Sequence, residues 1–198
     1  MTSGSGDSFD SVIARINTAH VGVVDEVAIP SMPTLEVSGR GWPGGEEFRG
    51  GVRDLYALAF AVKLLPRTVG VPVGHHEYEM PPMQIVFESL TRDTGWTILF
   101  PQPAFVTAAV VDQARAKLDE RGAGAGAAAF GRLDGGPCLQ TLHLGPFDGP
   151  EIPAVDLLQA EGRTRGYVLG ERHHEVVLDD PQKVDPAERR TIMRYPIA

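Results

Sequence analysis

Two short stretches decide how this chain is read: Gly74-His75-His76-Glu77-Tyr78 and Arg172-His173-His174-Glu175-Val176. Each carries His-His-Glu, and each follows a short apolar strand, a Gly-Pro type turn and a helix-like run. Leu35-Glu36-Val37-Ser38-Gly39-Arg40-Gly41-Trp42-Pro43 leads into the first copy, and Leu139-Gln140-Thr141-Leu142-His143-Leu144-Gly145-Pro146-Phe147 into the second. The duplication predicts two strand-helix-strand units sharing a cleft.

Working outward, Phe48, Val52, Leu55, Ala59 and Val62 recur at spacings of three and four and predict a helix over 46–65. Glu46 and Glu47 favour its N-terminus through the helix dipole, and Pro66 is expected to stop it. Gly50 and Gly51 each weaken it by roughly 1 kcal/mol. Thr107 is an N-cap for a second helix reaching Glu120, and a third is expected over 148–162, capped by Asp148 with Pro150 near its start. A weaker helix is expected over 8–19. Strands are expected at 21–29 and 34–38, parted by Pro30 and Pro33, and at 75–80, 84–88, 96–100, 139–144, 173–178 and 190–196. The Gly122–Ala127 run reads as a connector. Strands and helices do not alternate strictly, so the fold class is α+β. Duplicated β-α-β-β units are expected to form a mainly antiparallel sheet, with helices on one face and a ligand groove on the other. Residues 1–20 are expected to be a flexible segment and 21–198 a single domain of two pseudo-repeats, about 21–121 and 132–198.

The totals narrow the function. The chain has 198 residues, 42% of them hydrophobic, with 26 acidic against 18 basic residues and a formal net charge of -8. That balance disfavours a nucleic-acid backbone, which needs a basic stripe. The lone cysteine, Cys138, excludes an internal disulfide and fits a reducing compartment. No run approaches a membrane span or a signal-peptide core. The expectation is a cytoplasmic protein, a monomer or weak homodimer, with no direct nucleic-acid or membrane partner.

On a strand, alternate residues share a face. His173, Glu175 and Val177 therefore point one way, and the more apolar His174, Val176 and Leu178 the other, toward the expected helices. Glu175 is thus expected on an open face among apolar neighbours. Ionised, it attracts a cation; protonated, it donates a proton; and it can take one from water. It can also be an ordinary solvated or His-paired strand carboxylate. Trp42, Tyr78, Phe87, Trp96, Phe147 and Tyr195 fall at strand ends or after turns, where flat side chains suit flat apolar ligands. Core packing is the competing reading, with Trp96 its foremost case. His75/Glu77 and His173/Glu175 have matched spacing that suits zinc or iron, but no helical His-Glu-x-x-His accompanies them, and neither metal nor cofactor is expected. Cys138 has no helix N-terminus to activate it, and the glycine-rich stretches lack a P-loop or dinucleotide fingerprint.

Taken in order, several motifs resemble the GyrI-like small-molecule-binding family. They are Asp54-Leu55-Tyr56-Ala57-Leu58-Ala59-Phe60, Tyr78-Glu79-Met80-Pro81-Pro82-Met83, Gln102-Pro103-Ala104-Phe105-Val106-Thr107, the 139–148 stretch, and His173 to Pro181 followed by Asp185-Pro186-Ala187-Glu188 and Thr191-Ile192-Met193-Arg194-Tyr195-Pro196. The match runs from about residue 24 to the end. The resemblance implies a duplicated β-α-β-β fold with an amphipathic groove. Members include effector-binding domains of multidrug-responsive regulators, and stand-alone proteins that hydrolyse the strained cyclopropane of DNA-alkylating natural products. The family's pocket glutamate falls on Glu175, its first-repeat tyrosine on Tyr78, and an aromatic position, usually Trp, on Phe87. Phe147 stands where Gly-Pro-Tyr is usual, Val177 where an aromatic is common, and Phe87-Glu88 where a Trp pair is common. These departures imply a more apolar pocket. Catalysis is expected of Glu175, Tyr78 and His173, and Trp42, Tyr56, Met80, Phe87, His143, Phe147 and Tyr195 are expected against a hydrophobic aromatic ligand. With no DNA-binding segment ahead of the fold, a stand-alone protein that hydrolyses a genotoxin is expected; the alternative is a non-catalytic binder of lipophilic cations.

Overall fold

The computed structural model describes residues 7–91, 93–147 and 152–197. Among these, helix α1 (Phe9–Ile16) precedes strands β1 (Asp25–Ile29) and β2 (Met32–Arg40), helix α2 (Glu46–Thr68), and strands β3 (Met83–Phe87) and β4 (Gly95–Pro101). Helix α3 (Ala108–Glu120) then leads to β5 (Ala129–Leu133), β6 (Gly136–Leu144), helix α4 (Pro153–Thr164), β7 (His173–Val177) and β8 (Arg190–Pro196). A 3-10 turn at Pro186–Glu188, capped by Asp185, enters β8.

The described strands form one antiparallel sheet in the order β1-β6-β8-β7-β3-β4-β2-β5. That order reads the same from both ends once β2-α2-β3-β4 is matched with β6-α4-β7-β8. The duplication is therefore real, with a pseudo-twofold axis between β3 and β7. The strand ahead of each unit crosses over: β1 pairs with β6 and β5 with β2.

The axis does not relate the two His-His-Glu stretches, contrary to the expectation from their spacing. In the β3–β7 register Ile85 pairs with Glu175, so the counterpart of His173-His174-Glu175 is Met83-Gln84-Ile85. The first His-His-Glu lies before β3 and forms no strand. Its residues 75–80 are followed by Pro81-Pro82, which deny a ladder its donors, and His75 and His76 instead pack edge-on against Phe105.

Helix α2 buries Leu55, Leu58, Ala59, Val62 and Leu65 with Leu35, Val37, Ile85, Phe87, Ile98 and Phe100 of the sheet. Helix α4 buries Ala154, Val155 and Leu158 with Leu139, Met193 and Tyr195. Gly39 leaves room for the Trp96 ring, which a Cβ there would overlap, and a Cβ at Gly51 would press on Val37 at 3.2 Å. Helix α2 runs through Pro66 to Thr68. Leu65 is fully buried and its carbonyl accepts from Val69 N–H at 2.9 Å, so packing carries the last turn past the proline. Pro33 sits inside β2, and β5 occupies sequence beyond the Gly/Ala connector that carried no strand signal. Helix α4 begins at Pro153; Asp148 and Pro150 lie outside the described residues.

The sheet's other face is covered too. Helix α1 sets Ile13 and Ile16 among Ile29, Met32, Val86, Leu99, Leu133 and Cys138. These come from both flanks of the sheet, which is curled around them. Buried Arg194 fixes the end of α1, donating to Ile16 O at 2.8 Å, Asn17 Oδ1 at 3.1 Å and Gln140 Oε1.

Candidate functional site

The register places Glu175. Ile85 and Met193 are its cross-strand neighbours on β3 and β8. Ile85 belongs to the core beneath α2 and Met193 to the core beneath α4. Glu175 therefore stands on the helix-bearing face, in the interval between α2, which lies over β2 and β4, and α4, which lies over β6 and β8. The expectation that His174 and Val176 meet these helices, leaving Glu175 on the opposite face, is corrected. Strand alternation separates buried from exposed only when one face meets water, and here α1 and the curl of the sheet bury the second face as well.

Glu175 keeps 18% of its side chain exposed and His173 only 2%. The His173 Nε2 lies 3.6 Å from Glu175 Oε1, an ion-pair separation longer than a hydrogen bond. His173 Nδ1 lies 3.0 Å from the carbonyl of Glu171. A carbonyl only accepts, so this contact puts a proton on Nδ1 and leaves Nε2 facing the carboxylate. The imidazole is held between two rings: Phe87 at 5.4 Å and Tyr195 at 5.5 Å between centroids, the latter stacked. The Tyr195 hydroxyl is buried and has no hydrogen-bond partner among the described residues. Burial, and then the charge of Glu175, push its pKa up to about 12.

One row further along the strands, Met83, Val177 and Thr191 lie side by side, with His143 next to Thr191. His143 stacks on Phe147 at 4.2 Å, with its Nε2 3.3 Å from Pro146 O. From the α2 side Tyr56, 38% exposed, meets Phe100 edge-on at 5.0 Å and stacks on Phe60. Burial and then the charge of Asp180, just beyond β7, raise the Tyr56 pKa.

The structure thus gathers Glu175, His173, Phe87 and Tyr195 into one contact group, with His143, Phe147 and Tyr56 toward the ends of the same interval. It does not bring Tyr78 to them. Tyr78 is 6% exposed, packs edge-on against Phe9 and Phe105, and donates from its hydroxyl to Gln102 Oε1 at 3.0 Å. Lys63 lies over its ring, and burial followed by Glu77 pushes its pKa up to about 12. Met80 packs on the α2 core, and Trp42 is half-exposed in the β2–α2 turn. Trp96 is core, 2% exposed and edge-on to Phe48. Sequence reasoning passed over Ile85, Met83, Thr191 and Met193, which carry no chemical signal and enter through strand pairing alone. Among the described residues no group of three or more His, Cys, Asp or Glu is arranged to hold a metal ion, and no helix is long and apolar enough to cross a membrane.

Fold and site together define an α+β protein of duplicated β-α-β-β units, with a half-buried carboxylate on the sheet between its two main helices. No family model and no curated protein matches the chain. Among solved structures it is similar to a hydrolase from Listeria innocua, with a TM-score of 0.82 and 28% identity over 91% of this chain and 94% of that one. An uncharacterized conserved protein from Listeria innocua superposes at 0.80 with 29% identity and the same coverage. The EcmrR C-terminal domain matches at 0.58 with 12% identity over 89% of this chain and 97% of that one, a likeness of fold alone.

Proposed function

We propose that this protein binds a flat hydrophobic or aromatic small molecule between α2 and α4 and hydrolyses it, opening the cyclopropane of a genotoxic alkylator and so protecting the cell. The observation that carries this reading is the Glu175 carboxylate, 18% exposed and flanked by Ile85, Met193 and His173, whose ring lies between Phe87 and Tyr195. The similarity to a hydrolase at 28% identity across nearly the whole chain supports it. In the proposed reaction Glu175 takes a proton from a water whose oxygen bonds to a cyclopropane carbon. The ring C–C bond breaks, its electron pair passes into the conjugated carbonyl, and that oxygen is protonated. His173, with Nδ1 tied to Glu171, presents Nε2 to the same space, and Tyr195 supplies an unpartnered hydroxyl. Tyr78, whose hydroxyl is engaged by Gln102, acts here only as packing.

The test is incubation with a cyclopropane-bearing DNA alkylator, followed by mass spectrometry. A product heavier by one water is expected, and Glu175→Gln is expected to slow its formation by about 10²–10⁴-fold, the range of a general base. Intact ligand after long incubation would overturn the hydrolytic reading. A single carboxylate among rings also suits a lipophilic cation. In that second reading Glu175→Gln weakens binding and the ligand is recovered unchanged.

A further inference from the structure

The face of the sheet turned away from Glu175 holds a cavity of about 360 Å³ that the proposed hydrolysis does not use. Its size lies within the range of about 300–1,000 Å³ typical of small-molecule sites. Val86 and Leu99 of the sheet, with Ile197, supply apolar wall, and Glu36, Thr97 and His174 supply polar groups. His174 neighbours Glu175 in sequence and so points through the opposite face of β7. It is 7% exposed, and its Nδ1 is buried with no hydrogen-bond partner among the described residues.

Charge narrows the ligand class. Among the lining residues Arg132 and Arg172 are matched by Glu36 and Asp134, Arg172 also pairing with Glu88 at 3.5 Å, and the neighbouring Arg194 is turned to Ile16, Asn17 and Gln140, so a charged ligand meets no net counter-charge in the lining. Burial, then the charges of Arg194, Arg172 and His173, push the His174 pKa down to about 3, so its ring is neutral and offers one donor and one acceptor nitrogen. The Glu36 carboxylate accepts from Thr34 Oγ1 at 2.8 Å and retains further acceptor capacity.

We propose that this cavity is a second small-molecule site, taking an uncharged aromatic compound of one or two rings that carries a hydroxyl, with the rings against Val86 and Leu99 and the hydroxyl between His174 and Glu36. It stands on observations separate from those at Glu175, and either can fail without the other.

The probe is 2-naphthol, titrated by calorimetry against the full chain and against Thr97→Phe and Cys138→Phe, which place a ring into the cavity from two sides. Expected is saturable binding to the unmodified chain, weakened about tenfold or more, 1.4 kcal/mol or above, in both variants. Turnover or binding of the Glu175 ligand is expected to stay unchanged in both. Two results would overturn the proposal: no saturable binding up to about 1 mM, or affinity equal in the unmodified chain and both variants. Thermal melting identifies a variant that fails to fold, and the other then decides. A crystal soaked with 2-naphthol gives an independent readout, with density beside His174 expected and density only beside Glu175 contradicting the proposal.

Discussion

At the scale of single residues, Glu175 and Tyr195 differ in how they meet solvent. The carboxylate keeps partial contact with solvent, whereas the Tyr195 hydroxyl is sealed in without a partner. Replacing Tyr195 by Phe removes an unsatisfied buried group and keeps the ring stacked on His173. Stability in urea is therefore expected to hold or to rise by up to about 1 kcal/mol. If the hydroxyl serves the ligand, turnover or affinity falls in the same variant, and the two readouts separate a role in function from one in packing. The residue scale is also where the sequence was most legible and most deceptive. Glu175, Phe87 and Tyr195 were all singled out and are found together. Tyr78 was singled out by the same reasoning, yet its hydroxyl is bonded to Gln102, a partner 24 residues away that no local pattern reveals.

Among the elements, helix α3 obeys local rules most closely. Thr107 caps it, accepting from Val110 N–H, and the helix ends at Glu120 as its pattern predicts. Thr107→Ala is expected to cost about 1 kcal/mol, with a range of about 0.5–2, read from the shift in the denaturation midpoint. Helix α2 departs from local rules because the buried Val62 and Leu65 hold its last turn through a proline. β5 carries no strand signal because it is an edge strand buried only at its last residue, Leu133, with Gly131 half-buried at its centre. Its existence depends on β2 lying alongside, and β2 is almost a hundred residues earlier in the chain.

The whole molecule is a sheet buried on both faces, and its pH response belongs at this scale. The His174 pKa falls from 6.5 to about 3 on folding, through burial first and then the charges of Arg194, Arg172 and His173. The unfolded chain therefore binds a proton more readily between these values. From this residue, stability is complete above pH 6.5 and declines as pH falls toward 3, by an amount on the order of a few kcal/mol. Thermal melts from pH 7 to 4 are expected to show a steeper loss for the unmodified protein than for His174→Gln, whose residue 174 does not titrate. Parallel curves would place the ring in solvent. The same double burial explains why strand alternation misassigned the side on which Glu175 stands.

Local chemistry determined most of the elements: helical periodicity, caps, the Gly-Pro turns and the β-rich runs act within a few residues, so the chain spells them out. It also determined that the elements come in two sets, giving the α+β class and the duplication. Only the tertiary structure decided which residues are equivalent across that duplication, which face of β7 meets α2 and α4, and that Phe87 and Tyr195 enclose the His173 ring. Each of these is a matter of pairing between strands far apart in the chain. A strand's side chains alternate identically whichever neighbour it joins, so register and facing are set by the packing of the whole sheet and not by any segment alone.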